Sequence, residues 1–250
     1  MATTKGAAMG KEREKADRLA ADLARIYGDD LVSVVLYGSA ARGEYHEGIS
    51  DLNVLVLLRS TDAASLRRGS EIARGWAGGG NPAPMVLGAD EWRRSADVFP
   101  IEMSDIRDAH QVLHGADPFI GVEIDPRDLR LQAENELKGK YVQLRQGYLL
   151  AAGQPEELGN LVKRSLSTFL VLFRAVLRLA GDHAASRDPE EVIRRTALHV
   201  GFDAAPLVQV LAARRGGEKM RPKGDAPEVV AYLDAVGRVV EWVDRLPAGT

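Results

Sequence analysis

Residues 31–58 read LVSVVLYGSAARGEYHEGISDLNVLVLL, and this stretch decides the first half of the fold. Leu31–Tyr37 is rich in β-branched and aromatic residues and is followed by Gly38, which predicts a strand that ends in a tight turn. Asp51–Leu58 predicts a second strand, and the crowded apolar residues beyond Asn53 are typical of a buried central position. The stretch therefore predicts two sheet strands joined by the turn and the loop between them.

The polar residues of this stretch indicate a binding site for a phosphate and a cation. A Gly38-Ser39 turn exposes backbone N–H groups and a hydroxyl, which are groups that bind phosphate. Positions 51 and 53 alternate along a strand and so share one face, where carboxylate and amide oxygens can hold a divalent cation. Together these features predict a site for a metal-bound nucleoside triphosphate. Asn53 is neutral at a position where such a site usually needs a second negative charge.

A third acidic group is expected from the segment Val98–Ser104, which alternates apolar and polar residues and predicts a third strand. Glu102 would lie on the polar face of that strand. If the second and third strands are neighbours, Glu102 can converge with Asp51 and Asn53 on one cation. Asp105 and Asp108 are alternatives within residues 105–114, a segment that we predict to be helical.

The remaining chain divides into two parts of different character. Before Pro126 we predict helices at 11–27, 62–76 and 90–97 and a short strand at 85–87. After Pro126 the apolar residues recur every three or four positions in segments separated mostly by glycines, which predicts helices at 127–152, 155–181, 188–200, 204–214 and 226–245. Strands followed only by helices favour an α+β first domain and an all-α second domain. We place them at residues 1–120 and 126–250, with the boundary near 117–126.

The composition is that of a soluble globular protein, with 250 residues, 45% hydrophobic residues and 28% charged residues. A net charge of −3 gives no reason to expect bulk binding to nucleic acid or to an anionic membrane. The absence of cysteine excludes disulfides, thiolate metal sites and a cysteine nucleophile. The charged N-terminal region lacks the apolar core of a signal peptide, so we expect a cytoplasmic location.

The motif resembles the nucleotidyltransferase superfamily that includes DNA polymerase beta and the aminoglycoside nucleotidyltransferases. The resemblance is carried by Gly38-Ser39 with the loop Ala40–Gly43, by Ser50–Asn53 with its apolar continuation, and by Ile101–Met103. It extends from about residue 31 to residue 105. A helical domain after such a core is also similar to the layout of the two-domain antibiotic adenylyltransferases, and it implies an N-terminal mixed sheet with flanking helices followed by a helical bundle.

The resemblance implies roles for individual residues. Gly38 and Ser39 would contact the nucleotide phosphates. Asp51, Asn53 and Glu102 occupy the three positions that are acidic in the family, and they would bind Mg²⁺. Glu102 or an acid of the helical domain would also accept the proton of the acceptor hydroxyl. Arg42, in the loop after the turn, either reaches a phosphate or is solvated. The implied reaction moves a nucleoside monophosphate, AMP from ATP, onto a hydroxyl of a small molecule or a protein, bound between the two domains.

Asn53 also supports a second interpretation, in which the chain is a catalytically weak nucleotide-binding or regulatory module. The helical domain would then mediate self-association or partner binding. Within that domain, Lys163 and Arg164 lie on a predicted helix. They either approach the nucleotide or are solvated helix charges.

Overall fold

The computed structural model describes residues 2–41, 51–182 and 188–247, with side chains from residue 13 onward. The chain forms two compact units. One consists of Met1–Asp97 and Glu102–Ile124, and the other of Val98–Ile101 and Asp125–Thr250. We call them the N-terminal unit and the helical unit. The first combines a sheet with helices and the second consists of helices, which confirms the predicted fold class.

Within the described residues, one mixed sheet of four strands organises the N-terminal unit. The strands are β1 (Leu31–Tyr37), β2 (Asn53–Leu58), β3 (Met85–Gly88) and β4 (His110–Gly115), in the order β3-β2-β1-β4. β1 is antiparallel to both β2 and β4, and β2 is parallel to β3. The last residue of β1, Tyr37, pairs with the first residues of its neighbours, Asn53 and His110. We call this end of the sheet the Tyr37 end.

Helices cover both faces of the sheet because its strands are apolar on both sides. On one face, Val34, Leu36 and Val54 form a buried core with the first and second helices. On the other face, Val35 and Leu55 form a second core with the third and fourth helices. These helices are α1 (Ala2–Tyr27), α2 (Ala63–Gly78), α3 (Ala89–Arg94) and α4 (Pro100–Asp108). α1 begins well before the predicted residue 11. The other predicted elements before residue 98 are confirmed within a few residues.

The predicted strand at Val98–Ser104 is wrong, because this segment forms the start of α4. Pro100 begins the helix, where its missing N–H costs no hydrogen bond. The misleading alternation arises because this short helix is apolar on two sides. Ile101 packs in the core of the helical unit, whereas Met103 and Ile106 pack under the sheet of the N-terminal unit. The predicted helix over 105–114 is also wrong from residue 110, where the chain enters β4.

The helical unit, in its described residues, contains five helices that confirm the five predicted segments. They are α5 (Pro126–Ala151), α6 (Pro155–Leu179), α7 (Pro189–Val200), α8 (Ala205–Arg215) and α9 (Pro227–Asp244). Proline occupies the first turn of each one, which is its favoured helical position. α6 is central, and its side chains Leu166, Phe169 and Phe173 are almost fully buried. Among the helices of the described residues, none has the length and apolar content needed to cross a membrane.

Candidate functional site

Gly38 fixes the geometry of the turn at the Tyr37 end of the sheet. Its φ angle is +81°, a left-handed conformation that favours glycine. Its N–H donates to the carbonyl oxygen of Ala109 at 3.0 Å, so this group is used within the fold. A Cβ atom at Gly38 would lie 3.3 Å from Nδ2 of Asn53. The turn therefore lies directly against the first residue of β2.

Asp51 and Asn53 flank a buried leucine at the start of β2. Leu52 is fully buried in the core beneath α1 and α2. Because neighbouring residues of an extended chain point to opposite sides, Asp51 and Asn53 are directed away from that core. Asp51 is exposed and Asn53 is half-buried. Asn53 shares its face of the sheet with Tyr37, and burial raises the pKa of the Tyr37 phenol.

Two residues that are distant in the sequence, Gln111 and Arg13, support the turn through hydrogen bonds. Nε2 of Gln111 donates to the carbonyl oxygen of Ala41 at 3.0 Å. The side-chain oxygen of Gln111 accepts a hydrogen bond from the guanidinium of Arg13, which also pairs with Asp17 at 3.0 Å. Gln111 and Arg13 were not among the residues predicted from the sequence. No local pattern could have found them, because they are 98 residues apart and meet only through the packing of α1 beside β4.

The structure places Glu102 on a helix and not on a strand beside β2. It is exposed in the first turn of α4, while the far end of that helix precedes Ala109, the residue bonded to Gly38. Six residues of α-helix rise about 9 Å, so Asp108 lies nearer than Glu102 to the Tyr37 end along this helix. The prediction that Glu102 lies on a strand beside β2 is therefore wrong. The role of Glu102 in the site stays a prediction. Arg42 lies outside the described residues.

The donor atoms at the start of β2 fit Mg²⁺ chemically. Mg²⁺ prefers oxygen ligands and commonly uses one or two carboxylates together with waters and substrate phosphates. Asp51 supplies a carboxylate and Asn53 an amide oxygen. Over residues 13–41, 51–182 and 188–247, no group of three or more His, Cys, Asp or Glu side chains is arranged to hold a metal ion. The residues present therefore fit an ion whose remaining ligands would come from the phosphates of a bound nucleotide and from waters.

Comparison with known families finds a match for the region that contains this site. Residues 16–81 match the family model described as the nucleotidyltransferase domain. This part of the N-terminal unit is therefore similar to a nucleotidyltransferase domain. The matched region contains the Gly38-Ser39 turn, Asp51 and Asn53, and it ends before Glu102. Nucleotidyl transfer is therefore the general class of activity that the match supports.

The two-part fold is also found among solved structures. One is the crystal structure of spectinomycin adenyltransferase AAD(9) from Enterococcus faecialis with ATP and spectinomycin. It aligns with a TM-score of 0.54 and 11% sequence identity, over 90% of this chain and 98% of that chain. The predicted resemblance to the nucleotidyltransferase superfamily and to the two-domain adenylyltransferase layout is thus confirmed. No curated protein matches this chain.

Replacing Gly38 with alanine is expected to destabilise the N-terminal unit by about 1–2 kcal/mol, the usual cost of a left-handed conformation for a residue with a Cβ atom. The new methyl group would also press on the Asn53 amide. The free energy of unfolding can be measured by urea titration. Gly75→Ala is the matched control, since Gly75 lies within α2 with nothing within 4 Å of an added Cβ. Equal stability of the two variants would contradict the conformational role of Gly38.

Proposed function

We propose that this protein is an Mg²⁺-dependent nucleotidyltransferase that moves AMP from ATP onto a hydroxyl of a small molecule or a protein. The observation that supports it most is the close approach of Gly38 to Asn53. This approach brings a phosphate-binding type of turn next to the oxygen donors of β2. Such a juxtaposition suits a triphosphate and its cation, which need to be bound together.

The choice of ATP and of a small acceptor draws on a structural relative. The structure of AAD(9) contains ATP and spectinomycin, and its fold covers most of this chain. We carry over only the class of each ligand, namely an adenine nucleotide and a small molecule with a hydroxyl. A protein hydroxyl remains a second type of acceptor within the same proposal.

We assign a separate task to each residue of the proposed site. The Ser39 hydroxyl and the backbone of its turn bind the triphosphate tail, with Arg42 as an additional phosphate ligand. Asp51 and Asn53 hold Mg²⁺, which when bound neutralises phosphate charge. The acceptor oxygen forms a bond to the α-phosphorus while the bond to pyrophosphate breaks. Its proton passes to a carboxylate, for which we propose Glu102, with Asp105 and Asp108 of α4 as alternatives.

Asn53 favours a second candidate function. An amide at this position lacks the negative charge of a carboxylate, which weakens cation binding and the neutralisation of phosphate charge. The protein would then bind a nucleotide and act as a regulatory module with little turnover. Self-association or partner binding would belong to its helical unit.

Titration with ATP in the presence and absence of Mg²⁺ tests the binding site that both candidates share. We expect ATP to bind with a modest dependence on Mg²⁺. Ser39→Ala should weaken ATP binding about tenfold, because a hydrogen bond to a charged phosphate is lost. Isothermal titration calorimetry gives both affinities. ATP affinity that is the same in Ser39→Ala, Asp51→Ala and wild type would contradict the site.

Transfer of label from α-labelled ATP separates the two candidates. A nucleotidyltransferase should release pyrophosphate and label one member of a set of hydroxyl-bearing small molecules, or a protein, in an Mg²⁺-dependent manner. A regulatory module should bind ATP in the same titration and label none of them. A set of acceptors whose hydroxyls are replaced by hydrogen provides the matched control.

A further inference from the structure

A basic groove lies on the surface of the helical unit. Asn160, Lys163, Arg164 and Ser167 of α6 line it together with Arg214, near the end of α8. The four residues of α6 have the spacing i, i+3, i+4 and i+7, which places them on one face of the helix. The volume of the groove is about 400 Å³. At about 30 Å³ for each water molecule in the liquid, this is room for about a dozen waters or for a small anion with part of its hydration shell.

The described side chains that line the groove carry a net positive charge. Three of its five lining side chains are cationic and none is acidic. Several other exposed arginines of the helical unit pair with carboxylates, as Arg194 does with Glu190 at 2.7 Å and Arg221 with Glu156 at 2.9 Å. Within the described ranges, in contrast, no carboxylate lies within ion-pair distance of Arg164 or Arg214. Since like charges held together repel each other, an anion in this groove would be favoured.

Contacts within the helical unit hold one side of the groove in place. Nζ of Lys163 donates to the carbonyl oxygen of Glu218 at 3.1 Å, which orients the ammonium group. Gly159, one residue before Asn160, touches the segment that follows α8. A Cβ atom at Gly159 would lie 2.1 Å from the carbonyl oxygen of Met220 in that segment. Farther along, the Tyr148 hydroxyl donates to the carbonyl oxygen of Gly224 at 2.8 Å. The segment that follows α8 is therefore fixed against α5 and α6, and the groove is preformed.

We propose that this groove is a binding site for a small phosphate-bearing anion of about diphosphate size. Arg164 and Arg214 supply planar guanidinium groups, which suit bidentate binding of phosphate oxygens, and Lys163 supplies a compact positive charge. The Asn160 amide and the Ser167 hydroxyl add neutral donors on the same helix face. The site belongs to the helical unit alone and does not depend on the proposed transferase activity.

Calorimetric titration with inorganic pyrophosphate tests the groove directly. The full chain is used in the presence of EDTA, so that binding does not depend on a divalent cation. We expect saturable binding to wild type, and about tenfold weaker binding to Arg164→Gln and to Arg214→Gln, since each variant loses a charge-assisted hydrogen bond. Arg194→Gln is the matched control. It removes one exposed arginine charge from the same unit, outside the groove, and should leave the affinity unchanged.

Three results would overturn the proposal. They are no binding of pyrophosphate to wild type, unchanged affinity in both groove variants, and an equal loss of affinity in Arg194→Gln. Circular dichroism of each variant verifies that its helix content is that of wild type. Competition then identifies the source of the phosphate group. Displacement of pyrophosphate by metal-free ATP would indicate a nucleotide, and displacement only by inorganic phosphate would indicate a free anion.

Discussion

Asp51→Asn is expected to lower the rate of nucleotidyl transfer about a thousandfold. The substitution keeps the shape of the side chain and removes one negative charge from the proposed metal site. A charge pair 4 Å apart at an effective dielectric constant near 20 is worth about 4 kcal/mol, and each 1.36 kcal/mol is a factor of ten in rate. Because Asn53 is already neutral, Asp51 is the remaining carboxylate at the start of β2, and its loss cannot be offset by the neighbouring position.

The reciprocal variant Asn53→Asp provides the matched comparison. It restores a carboxylate on the face of β2 next to Gly38, and we expect Mg²⁺ to bind at least about tenfold more tightly in the presence of ATP. The double variant Asp51→Asn/Asn53→Asp keeps the total charge and moves the carboxylate from position 51 to position 53. If charge alone matters, the double variant should recover most of the Mg²⁺ affinity that Asp51→Asn loses.

Initial rates of pyrophosphate release and calorimetric Mg²⁺ affinities measure these effects. Each variant should have the same urea midpoint of unfolding as wild type, because Asp51 is exposed and Asn53 is a half-buried first residue of β2. Full activity of Asp51→Asn would contradict the metal site. Unchanged Mg²⁺ affinity in Asn53→Asp would show that position 53 does not contact the cation.

Gly159→Ala is expected to destabilise the helical unit by about 3 kcal/mol, the upper part of the usual range for overpacking a core. In most helix interiors alanine is more stable than glycine, so the predicted sign is the reverse of the intrinsic preference. The reason is the contact with Met220, whose carbonyl oxygen would lie 2.1 Å from the new Cβ atom. A backbone atom cannot move away as the end of a side chain can, so α6 or the segment that follows α8 must shift.

Gly139→Ala tests this explanation with the same chemical change in a neighbouring helix. Gly139 lies within α5, and an added Cβ would have nothing within 4 Å. We expect this control to gain about 0.5–1 kcal/mol from the better helix propensity of alanine. Urea unfolding followed by helical circular dichroism gives both values. A gain in stability for Gly159→Ala would mean that the contact with Met220 is not tight in solution.

The five helices of the second unit could be predicted closely from the sequence because their signals are local. Apolar residues recur with the period of a helix, prolines mark the first turns, and glycines mark most of the ends. β1 and β2 were predictable for a similar reason, since each is a short apolar run bounded by turn residues. The Gly38 turn and its position before Asp51 and Asn53 followed from the same stretch.

The segment from Val98 to Gly115 was predicted wrongly because its structure depends on distant partners. α4 has apolar residues on two sides, and this pattern imitates the alternation of a strand. β4 is a strand because its backbone pairs with β1, more than seventy residues earlier in the chain. The support of the turn by Gln111 and Arg13 depends on the same long-range packing.

Local pattern was thus sufficient for the helical unit, for the first two strands and for the residues that resemble a nucleotide site, because periodicity and turn chemistry act over a few positions. Long-range packing set the order of the strands, the helical conformation around Glu102, the contact of Gly38 with Asn53 and the basic groove between α6 and α8. These features arise from residues far apart in the chain, and their proximity depends on how the elements bury apolar surface and pair their backbone groups.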